Sequence, residues 1–69
     1  MMREIYEVLK FVGCRRKKVG ATYRMELKVR WMGYDAGDDT WEPVHALAMN
    51  ENVKMLIIAY ERRHNRKLL

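Results

Sequence analysis

Cysteine is almost absent from this 69-residue chain, where Cys14 stands alone. No internal disulfide can form and no multi-cysteine metal site can be assembled, which fits a reducing compartment. A thiol between Gly13 and a basic run could be reactive, but a lone strand-end cysteine is usually inert. Long apolar runs are missing as well. The longest, Met55 to Tyr60, is bounded by Lys54 and Glu61 and is far shorter than the ~20 residues that cross a bilayer. The opening Met-Met-Arg-Glu-Ile-Tyr lacks the charged-then-apolar layout of a signal peptide. An intracellular protein without membrane contact is expected. Glycine is sparse, and Gly13, Gly20, Gly33 and Gly37 are spread over separate turns, so no phosphate-binding loop exists. The two histidines, His45 and His64, have no nucleophile, carboxylate partner or metal-ligand spacing around them. An enzyme is therefore not expected, nor a metal or cofactor.

What is present suits one small folded domain over residues 1–69. A chain this short buries only roughly 60% of its unfolded surface, so its core must be compact. The 49% hydrophobic and 33% charged shares are ordinary for a globular protein. Basic residues outnumber acidic ones 14 to 9. The excess is clustered at Arg15, Arg16, Lys17 and Lys18 and again at Arg62, Arg63, Arg66 and Lys67, so polyanions are plausible neighbours. The acids cluster too: Asp35, Asp38, Asp39 and Glu42 follow Trp31 and Tyr34 closely.

Tyr23, Met25, Leu27, Val29 and Trp31 alternate with Arg24, Glu26, Lys28 and Arg30, the period of a strand with one buried face. Before it, Ile5 to Val12 is rich in β-formers, and the basic run ending at Gly20 and Ala21 reads as a solvated hairpin connection. Thr40-Trp41-Glu42 reads as a short third strand stopped by the single proline, Pro43. From Asn50, a candidate N-cap, Val53, Leu56, Ile57 and Tyr60 recur at helical spacing, and the basic residues of the last turn suit the helix dipole. Strands over about 4–16, 22–32 and 39–43 and a helix over about 50–65 follow.

The segment Val29-Arg30-Trp31-Met32-Gly33-Tyr34, followed by Asp35 to Asp39 and Thr40-Trp41-Glu42-Pro43, closely resembles the chromodomain signature. Tyr6-Glu7-Val8 resembles the opening aromatic strand of that family, and the helix occurs in the expected place. The resemblance implies an α+β fold: a curved three-stranded antiparallel sheet, an SH3-like partial barrel, with a C-terminal helix packed across one end. It also implies that Tyr6, Trp31 and Tyr34 form an aromatic cage for methylated lysine, with Asp38 as the acidic neighbour and Asp39 as its backup. Trp41 is assigned to the core. The implied ligand is a di- or trimethylated lysine of a histone H3 tail, lysine nine first and lysine twenty-seven as the alternative, in nuclear chromatin of the heterochromatin, gene-silencing kind. The tail is expected to add as a strand between Glu4, Ile5, Glu7 and Val8 on one side and Glu42, Val44, His45, Ala46, Leu47 and Ala48 on the other. Heterochromatin-type readers carry an asparagine and an acidic residue where this chain has Ala46 and Ala48, so two polar contacts to the tail are missing.

Two other readings compete. The basic clusters suit a nucleic-acid-binding module for DNA or RNA, and the loss at Ala46 and Ala48 leaves room for a chromoshadow-like docking or dimerisation module. As an isolated methyl-lysine reader, the domain is expected to be monomeric and to have no catalysis of its own, although a parent protein could be an enzyme such as a histone methyltransferase.

Overall fold

The computed structural model describes residues 6–69; Glu4 and Ile5 lie outside the described residues. Three antiparallel strands form one open sheet in the order β1-β2-β3, with β1 at Val8–Val19, β2 at Thr22–Trp31 and β3 at Thr40–Pro43. A 3-10 turn, Ala36–Asp38, joins β2 to β3. The chain then makes a four-residue helix α1, Val44–Leu47, and the longer helix α2, Glu51–His64. The expected α+β class and the order of strands then helix are what the structure shows. Among the described residues no helix is long and apolar enough to cross a membrane.

Strand β2 follows its sequence alternation. Leu27 and Val29 are fully buried, and Leu27 joins Val44 and Ile57 in the core. Strand β1 follows no such alternation, because Leu9 and Val12 are extra residues without partners in the register opposite β2. Each is a bulge that bends and twists the strand. The partners of Trp31, Val29 and Leu27 are thus spaced by three, at Val8, Phe11 and Cys14. Phe11 and Cys14 both pack on the core.

The basic run is a strand and not a connection. Arg15 to Lys18 pair with Glu26 to Tyr23, and only Gly20 and Ala21 make the turn between Val19 and Thr22. Gly20 at φ 61° supplies the left-handed first position that a tight type II′ hairpin requires.

The second face of β2 is also covered. Glu26 is 1% exposed, receiving Arg15 Nε at 2.8 Å and Arg24 Nε at 2.9 Å. Burial opposes ionisation of this carboxyl, but the hydrogen bonds and charges of the two arginines outweigh it and lower its pKa. Trp41 lies on this face, opposite Lys28, and not in the core. The Arg15 guanidinium is 4.3 Å from its ring centroid and the Lys28 ammonium 5.8 Å. Gly13 permits that placement, since a Cβ there would stand 3.3 Å from the Trp41 ring.

Helix α2 is capped as its sequence indicates: Asn50 Oδ1 accepts from Val53 N at 3.0 Å. Ile57 is fully buried and Tyr60 meets Phe11 edge-on at 5.9 Å, whereas Leu56 is 41% exposed. The helix ends at Asn65 in the left-handed conformation. The tail then turns back, with the N–H groups of Leu68 and Leu69 donating to Glu61 Oε2 and Leu68 packing on the core.

Candidate functional site

A cleft of about 480 Å³ opens where β1 begins and β2 ends. It is lined by Tyr6, Trp31, Tyr34, Asp38, Thr40 and Glu42. Tyr6 is thus brought to the neighbouring pair Trp31 and Tyr34, 5.9 Å from Trp31 at 67° and 6.2 Å from Tyr34 at 40°, centroid to centroid.

Local backbone geometry accounts for each wall. The Glu7 carbonyl accepts from Met32 N at 2.8 Å, which ties the Tyr6 segment to the end of β2. Trp31 is the last residue of β2, paired with Val8. Gly33, at φ 84°, reverses the chain so that Tyr34 N donates to the Trp31 carbonyl at 3.0 Å. A side chain at that position would strain the turn.

The acidic loop is held from two sides. Asp35 Oδ1 accepts from Gly37 N at 3.0 Å, and Asp39 takes a two-pronged contact from Arg30, Nε to Oδ1 at 2.5 Å and Nη2 to Oδ2 at 2.9 Å. The Asp39 carboxyl is 4% exposed. The Arg30 hydrogen bond, against the opposing effect of burial, lowers its pKa. Asp39 is therefore an anchor of the loop, and Asp38, exposed, is the carboxylate that reaches the cleft.

Thr40 and Glu42 complete the lining. Trp31 Nε1 donates to Thr40 Oγ1 at 2.9 Å, and the Thr40 hydroxyl donates to Glu42 Oε2 at 2.9 Å. The indole is thereby fixed in orientation. Sequence reasoning missed Thr40 altogether and placed Glu42 only in the outer groove. The signal was available, because residues 40 and 42 share a sheet face and Thr40 pairs with Val29, two residues before Trp31.

The remaining expected positions divide. Glu7 and Val8 border a second cleft with Tyr6, and its far side is Asn50, Asn52, Val53 and Leu56 rather than the segment from Val44 to Ala48. Val44 is 4% exposed and belongs to the core, with Leu47 and Ala48 packed against it. His45 and Ala46 are exposed on α1. Arg15 is engaged with Glu26 and Trp41, whereas Arg16, Lys17 and Lys18 are exposed near the hairpin turn. Arg62, Arg63, Arg66 and Lys67 are exposed at and beyond the end of α2. No cluster of three or more potential metal ligands occurs among the described residues.

No family model matches the chain. Over 61 residues, 88% of its length, it is 43% identical to the Chromodomain Y-like proteins of Rattus norvegicus and Mus musculus, with the same identity and coverage for that of Homo sapiens. The chain spans 9% of the length of these relatives. The matched region is chromodomain-like.

Proposed function

We propose that this chain is a chromodomain that reads a di- or trimethylated lysine on a histone H3 tail, lysine nine first, as a non-enzymatic module of nuclear chromatin. One observation carries the reading: in a chain of net charge +5, the described residues lining the cleft are three aromatics, one hydroxyl and two carboxylates, and none of them is basic. Such a cleft attracts a cation. It also favours a methylated cation over a plain ammonium, because methyl groups remove hydrogen-bond donors and add apolar surface that aromatic faces can cover. Each cation–π contact contributes about 0.5–1 kcal/mol when exposed and about 2 when desolvated. Asp38 and Glu42 add Coulomb attraction at the rim.

The tail on either side of the lysine would run along Tyr6, Glu7 and Val8 by strand addition. The side chains of Asn50 and Asn52 border that path and offer polar groups that Ala46 and Ala48 do not. Similarity to proteins named for their chromodomain supports the same reading.

Titration calorimetry with histone H3 tail peptides, plain and methylated at lysine nine or lysine twenty-seven, tests it. A preference for one methylated peptide of about tenfold or more is expected from three cage walls. Equal affinity for plain and methylated peptides would sink the reading.

A further inference from the structure

Two basic clusters far apart in sequence lie toward the same end of the fold. The first turn of α2 borders Tyr6, Glu7 and Val8. About two turns later, Tyr60 packs on Phe11 and has both Cys14 and Arg66 within electrostatic reach. Helix α2 therefore follows β1 from Val8 as far as Cys14, which puts its basic C-terminal end at the base of the β1–β2 ribbon. The aromatic cleft is at the other end of the same ladder, since Val8 pairs with Trp31 whereas Val19 pairs with Thr22.

From Arg15 to Arg24 there are five basic residues and no acidic one. Arg15 and Arg24 are tied to Glu26. Arg16, Lys17 and Lys18 make no ion pair among the described residues, and neither do Arg62, Arg63, Arg66 and Lys67. Tyr23, 53% exposed, carries the Arg16 guanidinium 4.6 Å from its ring centroid. Seven unpaired like charges on this half of the domain repel one another, and a polyanion relieves that repulsion.

We propose that this basic end binds duplex DNA, with the β1–β2 ribbon entering the major groove and the end of α2 meeting the adjacent phosphates. Shape selects the duplex. Five paired rungs, Arg15 to Val19, extend beyond Cys14, a reach of roughly 16 Å at ~3.3 Å per residue. A two-stranded ribbon fits a groove about 12 Å wide and about 8.5 Å deep, whereas the deep, narrow major groove of A-form RNA excludes it. The contacts are mostly to phosphate, so binding is nearly independent of sequence. With the cleft at the opposite end, one small module holds a peptide and a duplex at once.

Fluorescence anisotropy of the 69-residue chain with a labelled DNA duplex, at stepped salt concentrations, tests this. Affinity should fall linearly on a log–log salt plot, with a slope near −0.9 for each phosphate neutralised. The double variant Lys17→Glu/Lys18→Glu should bind DNA about tenfold or more weakly while keeping its thermal midpoint, and Arg62→Glu/Arg63→Glu should do the same. Trp31→Ala should bind DNA as the parent chain does. Salt-independent binding, undiminished affinity in both double variants, or tighter binding to duplex RNA or to anionic lipid vesicles than to DNA would each overturn the proposal.

Discussion

Trp31 and Thr40 are joined by a 2.9 Å hydrogen bond from the indole N–H to the threonine hydroxyl, which itself donates to Glu42. A tryptophan at the end of a strand has freedom about both side-chain torsions, and this bond removes it. The largest wall of the cleft is therefore set before any ligand arrives, which lowers the ordering cost of binding.

The first prediction follows from that bond. Thr40→Val keeps the shape and the strand propensity but leaves the indole N–H without its acceptor. Loss of one such bond is worth about 1 kcal/mol, so affinity for the methylated peptide should fall roughly fivefold. Thermal stability should change little, because Thr40 is exposed. Calorimetry beside a melting curve checks both, and unchanged affinity would mean that Trp31 is oriented by packing alone.

Asp38 and Asp39 are adjacent in sequence, yet their roles separate. Asp38→Asn should weaken methylated-peptide binding, and the loss should shrink as salt is raised, since an exposed charge is screened. Asp39→Asn should instead lower stability, because it leaves Arg30, 23% exposed in the pair, without its carboxylate partner. Peptide titration and denaturant unfolding of both variants give the test. A larger binding defect in Asp39→Asn, with the fold intact, would reverse the assignment.

Much of this was readable from the residues, and the failures have physical causes. The alternation along β2 exposes its core face directly, and Trp31, Gly33 and Tyr34 are contiguous, so one segment announces most of the cleft. Strand β1 is obscured by the bulges at Leu9 and Val12, which turn a period of two into a spacing of three at Val8, Phe11 and Cys14. The basic run looked like a loop because charge suggests solvent, but arginines stacked on Trp41 and Tyr23 are compatible with a strand. Trp41 looked like core, and only the register shows that it shares a face with Lys28 and the gap at Gly13. The family resemblance alone favours Asp38 over Asp39 at the cleft; the physical reason is Arg30, nine residues before Asp39, which engages the Asp39 carboxylate, and no local pattern encodes that pairing.

Acid should unfold the domain through a few defined carboxylates. The pKa of Glu26 is lowered by Arg15 and Arg24 despite its burial, that of Asp39 by Arg30, and that of Glu61 by the N–H groups of Leu68 and Leu69. A carboxyl whose folded pKa is depressed contributes stability that is complete above its unfolded value, near 4, and is lost as pH falls through the lower folded value. The thermal midpoint should thus be nearly flat from about pH 7 to about pH 5 and drop below that. Glu26→Gln should be less stable at neutral pH and show a shallower acid slope. An acid slope as steep in Glu26→Gln as in the parent chain would remove Glu26 from this account.

The core is small enough for single truncations to be decisive. Leu27 and Ile57 are both fully buried and belong to one cluster with Val44. Truncating either to alanine removes transfer energy and leaves a cavity, at a cost of about 2–5 kcal/mol. At roughly 0.05–0.15 kcal/mol per residue, a domain of this length has about 3–10 kcal/mol to lose. Leu27→Ala and Ile57→Ala should therefore each remove a large part of the domain's stability and lower its urea midpoint sharply. Leu56, beside Ile57 in the chain but 41% exposed, is the control, and Leu56→Ala should cost less than about 1 kcal/mol. Its other expected effect is on binding, since Leu56 borders the cleft that runs past Tyr6, Glu7 and Val8. Urea unfolding of the three variants, with peptide titration of Leu56→Ala, separates the buried side of α2 from the side that faces a ligand. Equal destabilisation by Leu56→Ala and Ile57→Ala would show that α2 is rotated from the orientation described.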